Sequence, residues 1–549
     1  QFLVTSLVNP FWFATPENKW ADFHPFIASW LVPSKNASDL AGFFMGNAAV
    51  PWGMWLRPAL VWGSFLFALM LSLLCLNVLL RRQWVERERL NFPIVQVPLA
   101  VTENGGSGPF YRNRLLWLGF AIPVILETIN SLNYIYPNIP YIQIKPFNVG
   151  QFIQTRPWNA VGAFNIAFYP LVIGIAFLIS LDVSFSCWFF YLLSKMEEIL
   201  SVALGFRDPG ASLAMSRIPY IGEQGAGAFL AIALFALWSS RHYLHAAFTR
   251  AWTGTKGADD SDEPVSYRTA FLGLIGGMLY VVVFSALAGM PWYLGVIFFT
   301  IFALYMVTLT RIRAEAGTPW HSGAGMNAHD LMTRTLGTGG MNPQSLTGFG
   351  MFQWMDFDYR CAIMPHQLEG MKIAQVARMN TRHLFYAILL AVVVGVAGTF
   401  WSMLDIYYHY GAATAKVNTW RTSMGSQPYN ILSGWLNNVR QPDASSIQAI
   451  GVGSLIAVAL SMLRARFVWW PFHPIGYAIA NSGALTWLWC PILVGWLCKQ
   501  VIVRYGGIRL YRQALPFFIG LILGDYIIGS VWAIIGLLLK IPVYRCFPI

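Results

Sequence analysis

Three carboxylates and one histidine stand where a membrane-embedded chain can least easily hold them. Glu127 lies two-thirds through an apolar run beside Asn130 and Asn133, Asp525 sits inside Leu521-Ile522-Leu523-Gly524-Asp525-Tyr526, and Glu315 follows Arg311 and Arg313 at the end of another run. A charged group at the centre of a bilayer costs about 2.5–3.5 kcal/mol on insertion scales, so each one calls for a function or a partner. The chemistry open to such groups is reversible proton binding. The competing role is an internal hydrogen bond or ion pair that holds helices together, which the two neighbouring arginines favour for Glu315. His473 falls in a proline-broken stretch with Pro474, where an imidazole either senses protons or makes a structural hydrogen bond.

Other titratable groups read more simply. Asp182 suits an interfacial helix cap, and Lys195 and Glu198 are three apart on one helical face, which leaves Glu197 to face another helix or water. His366 and Glu369 share one face of an amphipathic stretch but make at most half of a metal site, and no metal or cofactor is expected. The cysteines, at 75, 187, 361, 490, 498 and 546, include no Cys-x-x-Cys pair, so buried free thiols are expected. No HExxH, GxSxG or GxxxxGK[ST] motif occurs, which argues against an enzyme or an ATP-driven pump. Gly337 to Gly350 reads as a flexible linker.

The elements that must position these groups are long apolar runs. With 56% hydrophobic and 11% charged residues among 549, the chain is an integral membrane protein by composition. Runs able to cross about 30 Å of hydrocarbon fall at 57–80, 115–134, 160–181, 184–203, 225–247, 269–289, 291–310, 384–404, 446–463, 485–500 and 514–539. A twelfth segment, 468–482, is broken by Pro471 and Pro474 and reads as a half-helix or re-entrant element. The runs are too long for a transmembrane barrel. Most of the 36 Lys and Arg residues fall on the side reached at Arg81 and Arg82, which the positive-inside rule makes cytoplasmic. The net charge of +12 therefore implies no nucleic acid.

Segments 1–56, 135–159 and 405–445, rich in aromatics and proline, read as outer caps, and 311–383 as an inner loop containing an interfacial helix. These divide one integral membrane domain, 1–549, into a cap, a first helix group at 57–310, the inner loop, and a second helix group at 384–549. Because the chain opens at Gln1 inside an apolar stretch, an N-terminal segment is expected to be missing. Two stretches match each other: basic Arg81 and Arg82 lead to Phe92-Pro93 and the rest of 92–100, and basic Arg464 and Arg466 lead to 471–480. Paired broken segments point to the binding site of a repeat-built transporter, because freed backbone groups need a cavity. Chance, or ordinary proline-rich loop chemistry, explains the match equally well.

At RRQWVERERLNFPIVQVPLAVT, from Arg81, the chain resembles a bacterial family of polytopic membrane proteins known as domains of unknown function. DVSFSCWFFYLL from Asp182, RIRAEAGTPWH from Arg311 and DYRCAIMPHQLEGMKIA from Asp358 extend the resemblance over most of the chain. That family is similar, more weakly, to the oligopeptide transporter superfamily. The resemblance implies that Phe92-Pro93 lies near a substrate path and that Gly524-Asp525-Tyr526 corresponds to a Gly-Asp/Glu element in a late helix. The chain departs from the superfamily in having fewer spans and no complete signature.

The expected fold is an all-α bundle of about 11–12 spans with broken segments, in two related halves or one. The expected function is a secondary transporter of small organic solutes, peptides among them, in the bacterial inner membrane, coupled to a proton or sodium gradient. Glu127, Asp525, Glu315, Phe92, Pro93, His473 and Pro474 would line its pathway, with Glu127 or Asp525 as proton carrier. Its partners would be membrane lipids, the solute, and either further copies of itself or a larger membrane complex. The alternative is a non-transporting structural subunit of a membrane assembly.

Overall fold

The structure, a computed structural model, describes residues 2–106, 108–208, 217–254, 257–318, 323–360 and 362–546. Cys361 and the Pro319-Trp320-His321 end of one of the resembling blocks lie outside the described residues. The described chain is mostly helical, with one two-residue ladder pairing Phe147–Asn148 with Asn165–Ile166. Among the described residues, eight helices are long and apolar enough to cross a membrane.

The helices differ from the apolar runs for identifiable reasons. Runs 485–500 and 514–539 belong to one assigned helix, Gly483–Leu539, interrupted at Gly507, whose φ of 59° a residue with a β-carbon adopts only under strain. Helix Leu181–Ala203 has the length of a span, but Asp182, Lys195, Glu197 and Glu198 reduce its apolar character. Run 160–181 yields only the nine-residue helix Pro170–Leu178, because residues up to Tyr169 are spent on turns and the short ladder. The segment Gly337 to Gly350 is not a flexible linker: helix Pro343–Gly350 starts on an Asn342 cap and is buried over Ser345–Gly350.

Two compact units divide the chain, each assembled from three stretches. The first holds residues 1–89, 236–307 and 327–447. Within it helices Trp52–Arg82 and Tyr267–Leu287 approach closely because Gly277 faces Ser72 and Gly273 faces Cys75. At the end of that pair Arg81 donates to both oxygens of Glu263, at 2.7 and 3.0 Å, with both side chains buried. Asn77 donates to the Met364 carbonyl at 2.8 Å and fixes helix Ile363–Val376.

The second unit holds residues 90–235, 308–326 and 448–549. Helix Arg114–Ile135 packs along the later part of Gly483–Leu539 through Gly119, Gly520 and Gly524, where any β-carbon would overlap a backbone carbonyl of the facing helix. Such small-residue contact is how helices associate in lipid, where the apolar effect gives no net pull. All seven residues read from the sequence as pathway candidates lie in this second unit.

Candidate functional site

Five of the seven candidates meet at the end of helix Trp292–Ala316. The chain leaving Arg89 unwinds, and Phe92 turns through a left-handed conformation with φ of 44° before Pro93 opens a short 3-10 turn. The Phe92 amide donates to the Ala314 carbonyl at 2.8 Å, satisfying an acceptor that the ending helix leaves open. Pro93 packs on Gly317. The other broken segment arrives at the same helix end, since His473 Nε2 lies 3.0 Å from Glu315 Oε2. Arg311 Nε lies 2.7 Å from the second oxygen of Glu315.

The His473 ring has a defined tautomer. Nδ1 accepts from the Ile475 amide at 3.2 Å, capping helix Pro474–Ile479, and so carries no proton; the ring proton of the neutral form is on Nε2 and is donated to Glu315. Pro474 takes the first helical position, where a missing N–H costs nothing. The His473 amide donates to Ser186 Oγ at 2.7 Å, and Ser186 faces the Pro471 carbonyl at 3.2 Å. The His473 amide is thus satisfied by a serine of helix Leu181–Ala203, whose own hydroxyl proton lies between the Asp182 carbonyl at 2.7 Å and the Pro471 carbonyl. A second proton reaches this ring only at Nδ1, where it displaces the cap.

Small pockets lie beside the broken segment. One is lined by Ser194, Glu197, Gln224, Tyr477 and Asn481, with Tyr477 donating to Gln224 at 2.8 Å. Another, mostly apolar, is lined by Phe229, Leu309, Thr318, Ile479 and Leu488. Each has room for about one water molecule. Glu197 thus lines a pocket whose walls also include Phe190, Leu193 and Ile221, while its neighbours Lys195 and Glu198 pair at 3.2 Å.

Glu127 and Asp525 form a second cluster. Asp525 accepts from the Leu171 amide at 2.9 Å and caps helix Pro170–Leu178, a structural duty that a carboxylate does well at a helix start. Among the described residues its other oxygen has no hydrogen-bond partner, nor has one oxygen of Glu127 or the hydroxyl of Ser131 one turn further on. Glu127 is 1% and Asp525 2% exposed, and each lies within the other's electrostatic reach. Cys546 lies beside Glu127; burial, joined by the Glu127 charge, pushes its thiol up to about 12. Lys145 lies 3.8 Å above the Tyr544 ring, and the hydroxyls of Tyr544 and Tyr141 are 3.4 Å apart. Burial pulls the Lys145 ammonium below its ordinary range, opposed by Glu127. Asn130 and Asn133 do not join the cluster but pin the following loop, at Ile142 and Ile139.

Sequence reasoning passed over Ser186, Lys145 and Tyr544, which sit in loops or on faces without periodicity to mark them. It also passed over His329 in the first unit, which is fully buried between Phe298 and Phe349. His329 Nδ1 lies 2.8 Å from Asp356 and Nε2 3.0 Å from the Phe349 carbonyl. Both ring nitrogens face acceptors, so the geometry needs two ring protons or a protonated Asp356. His366 and Glu369 face each other at 3.5 Å, and among the described residues no group of three or more His, Cys, Asp or Glu is placed to hold a metal. Asp182 is not a cap but an ion-pair partner of Arg464 at 2.8 Å.

Eight apolar helices of spanning length, with broken helices and buried carboxylates among them, define an all-α, multi-pass membrane protein. The chain belongs to a family of unknown function, DUF6785, which matches it over residues 1–548. No curated protein matches it.

Proposed function

We propose that this protein is a proton-coupled secondary transporter of small organic solutes, with peptides as the favoured class. The observation that carries this reading is the convergence of two broken segments, 92–100 and 471–480, on the partly buried Glu315 and the buried His473 that faces it. Broken helices at membrane depth are tolerated where they line a cavity or a substrate path, and repeat-built transporters place their sites at such breaks. Histidine is suited to proton coupling because its ordinary pKa, about 6.5, lies near neutral pH.

The coupling follows from the tautomer. In the neutral state His473 caps helix Pro474–Ile479 and donates to Glu315. A proton entering at Nδ1 removes the cap, frees the Ile475 amide, and leaves an imidazolium against the Glu315 carboxylate. Proton binding thereby favours a different backbone arrangement of the segment lining the two pockets, which is the differential interaction a population shift requires. This moves the coupling proton from Glu127 or Asp525 to the Glu315 and His473 pair. The bacterial inner membrane is the location that accompanies this reading.

Uptake of a mixed di- and tripeptide pool by reconstituted protein, with and without an imposed pH gradient, tests it. Gradient-dependent uptake that is lost in Glu315→Gln supports the proposal. Folded protein that gives no uptake under any gradient refutes it and favours a structural subunit.

A further inference from the structure

The cluster around Glu127 is not used by the coupling step, yet it has the composition of a binding site. Among the described residues, two buried carboxylates each present an oxygen without a partner, and Ser131 adds a hydroxyl without one. An aromatic ring, Tyr544, stands in the same cluster and already carries a cation on its face: the ammonium of Lys145, 3.8 Å from the ring centre. Lys145 and Tyr544 both feel the Glu127 charge, and the loop that carries Tyr141 and Lys145 is pinned at Ile142 by Asn130, three residues beyond Glu127 on the same helix. Tyr141 is 41% exposed and Lys145 half-buried, so the loop end of the cluster lies at the surface.

We propose that Glu127, Asp525 and the face of Tyr544 form a binding site for an organic primary ammonium group, and that Lys145 holds the ring face of that site until the ligand displaces it. The site deepens the transporter reading and rests on it for the role of the ligand as substrate, the amino end of a peptide being one such group. An alkylammonium offers three N–H donors to two carboxylates and a hydroxyl, and a weakly hydrated positive surface to an aromatic face. An inorganic cation fits less well, because it needs more oxygen ligands than the three available and gains little from a ring. The resident lysine has the chemistry of the ligand it yields to, so it lowers the apparent affinity for any external amine until it is displaced.

The segment that carries Tyr544 is built to move with the occupant. Residues 541–546 follow the end of helix Gly483–Leu539 as non-helical chain and are tied to the cluster through Tyr544 on Lys145 and Tyr141, and through Cys546 on Glu127. Displacing Lys145 therefore alters the hold on this segment.

The test is binding of n-butylammonium to the purified full chain, with n-butanol and sodium chloride as matched probes, read by thermal shift and titration. The expected result is weak butylammonium binding to wild type, about tenfold tighter in Lys145→Met, and at least about tenfold weaker in Glu127→Gln with Asp525→Asn. Butanol gives no shift. Wild type alone supplies a second readout if a variant does not fold: butylammonium, but not sodium, raises hydrogen exchange in residues 541–546. Sodium stabilising the protein where butylammonium does not overturns the proposal in favour of an inorganic-cation site. Butylammonium binding that none of the substitutions changes, or an unaltered 541–546 segment, also overturns it. None of these outcomes bears on gradient-driven uptake, which the Glu315 variant tests separately.

Discussion

Replacing His473 should loosen the broken helix by an amount the structure allows to be worked out. His473→Ala deletes two interactions, the Nδ1 cap on the Ile475 amide and the Nε2 hydrogen bond to Glu315. Loss of a cap costs about 1 kcal/mol. Loss of a hydrogen bond to a charged, partly buried acceptor costs about 1.5–3 kcal/mol, and Glu315 then keeps its pairing with Arg311. Together these lower the free energy of local opening by about 2.5–4 kcal/mol, which speeds exchange of the Ile475–Ile479 amides by about 70- to 900-fold. His473→Asn separates the two parts: asparagine caps well but is too short to reach Glu315, so it recovers about 1 kcal/mol, or about fivefold. The assay is hydrogen exchange with peptide-level mass spectrometry on protein in lipid nanodiscs. Exchange within about threefold of wild type in the alanine variant, or an asparagine variant no better than alanine, would refute the assigned roles of the two ring nitrogens.

Other substitutions test the packing beneath the site. Gly520→Leu drives a side chain into the Leu116 carbonyl and should abolish recovery of monodisperse protein, whereas Gly276→Ala, which meets nothing within 4 Å, should leave elution and melting unchanged or slightly improved. Arg81→Met alone strands a buried Glu263 and should destabilise by about 3–5 kcal/mol, with Arg81→Met/Glu263→Met recovering most of it in detergent unfolding. Cys546, its thiol pushed up to about 12, should resist maleimide at pH 7.5 in wild type and react several-fold faster in Tyr544→Ala, followed at that residue by mass spectrometry. Equal labelling in the two proteins would show that Tyr544 does not hold the segment.

Much of the fold was legible because lipid imposes a strong code: apolar length marks spans, and most of the runs became helices near their expected bounds. The errors have local causes. Run 160–181 is apolar by composition, but its first ten residues form turns and a ladder, a choice that hydropathy does not register. The glycines of 337–350 suggested flexibility, yet an Asn342 cap and Pro343 start a buried helix there. The proline breaks at 92–93 and 471–474 did identify chain that meets in space, since proline in an apolar run leaves backbone groups that must find partners. The identity of those partners, Ser186 and the Ala314 carbonyl, is tertiary and leaves no periodic trace. Glu127 and Asp525 stood out singly, whereas their common cluster with Lys145 and Tyr544 depends on loops returning to one helix end.

The central claim is that protonation at His473 is tied to movement of a solute past the broken segments. Solid-supported membrane recordings on reconstituted protein, with peptide-pool concentration jumps over pH 5.5 to 8.5, address it most directly. The account predicts inward current in wild type that depends on pH, and current that loses this dependence in His473→Asn while the protein stays folded. Solute-driven current with the same pH profile in both proteins, or no current from folded wild type, would contradict it.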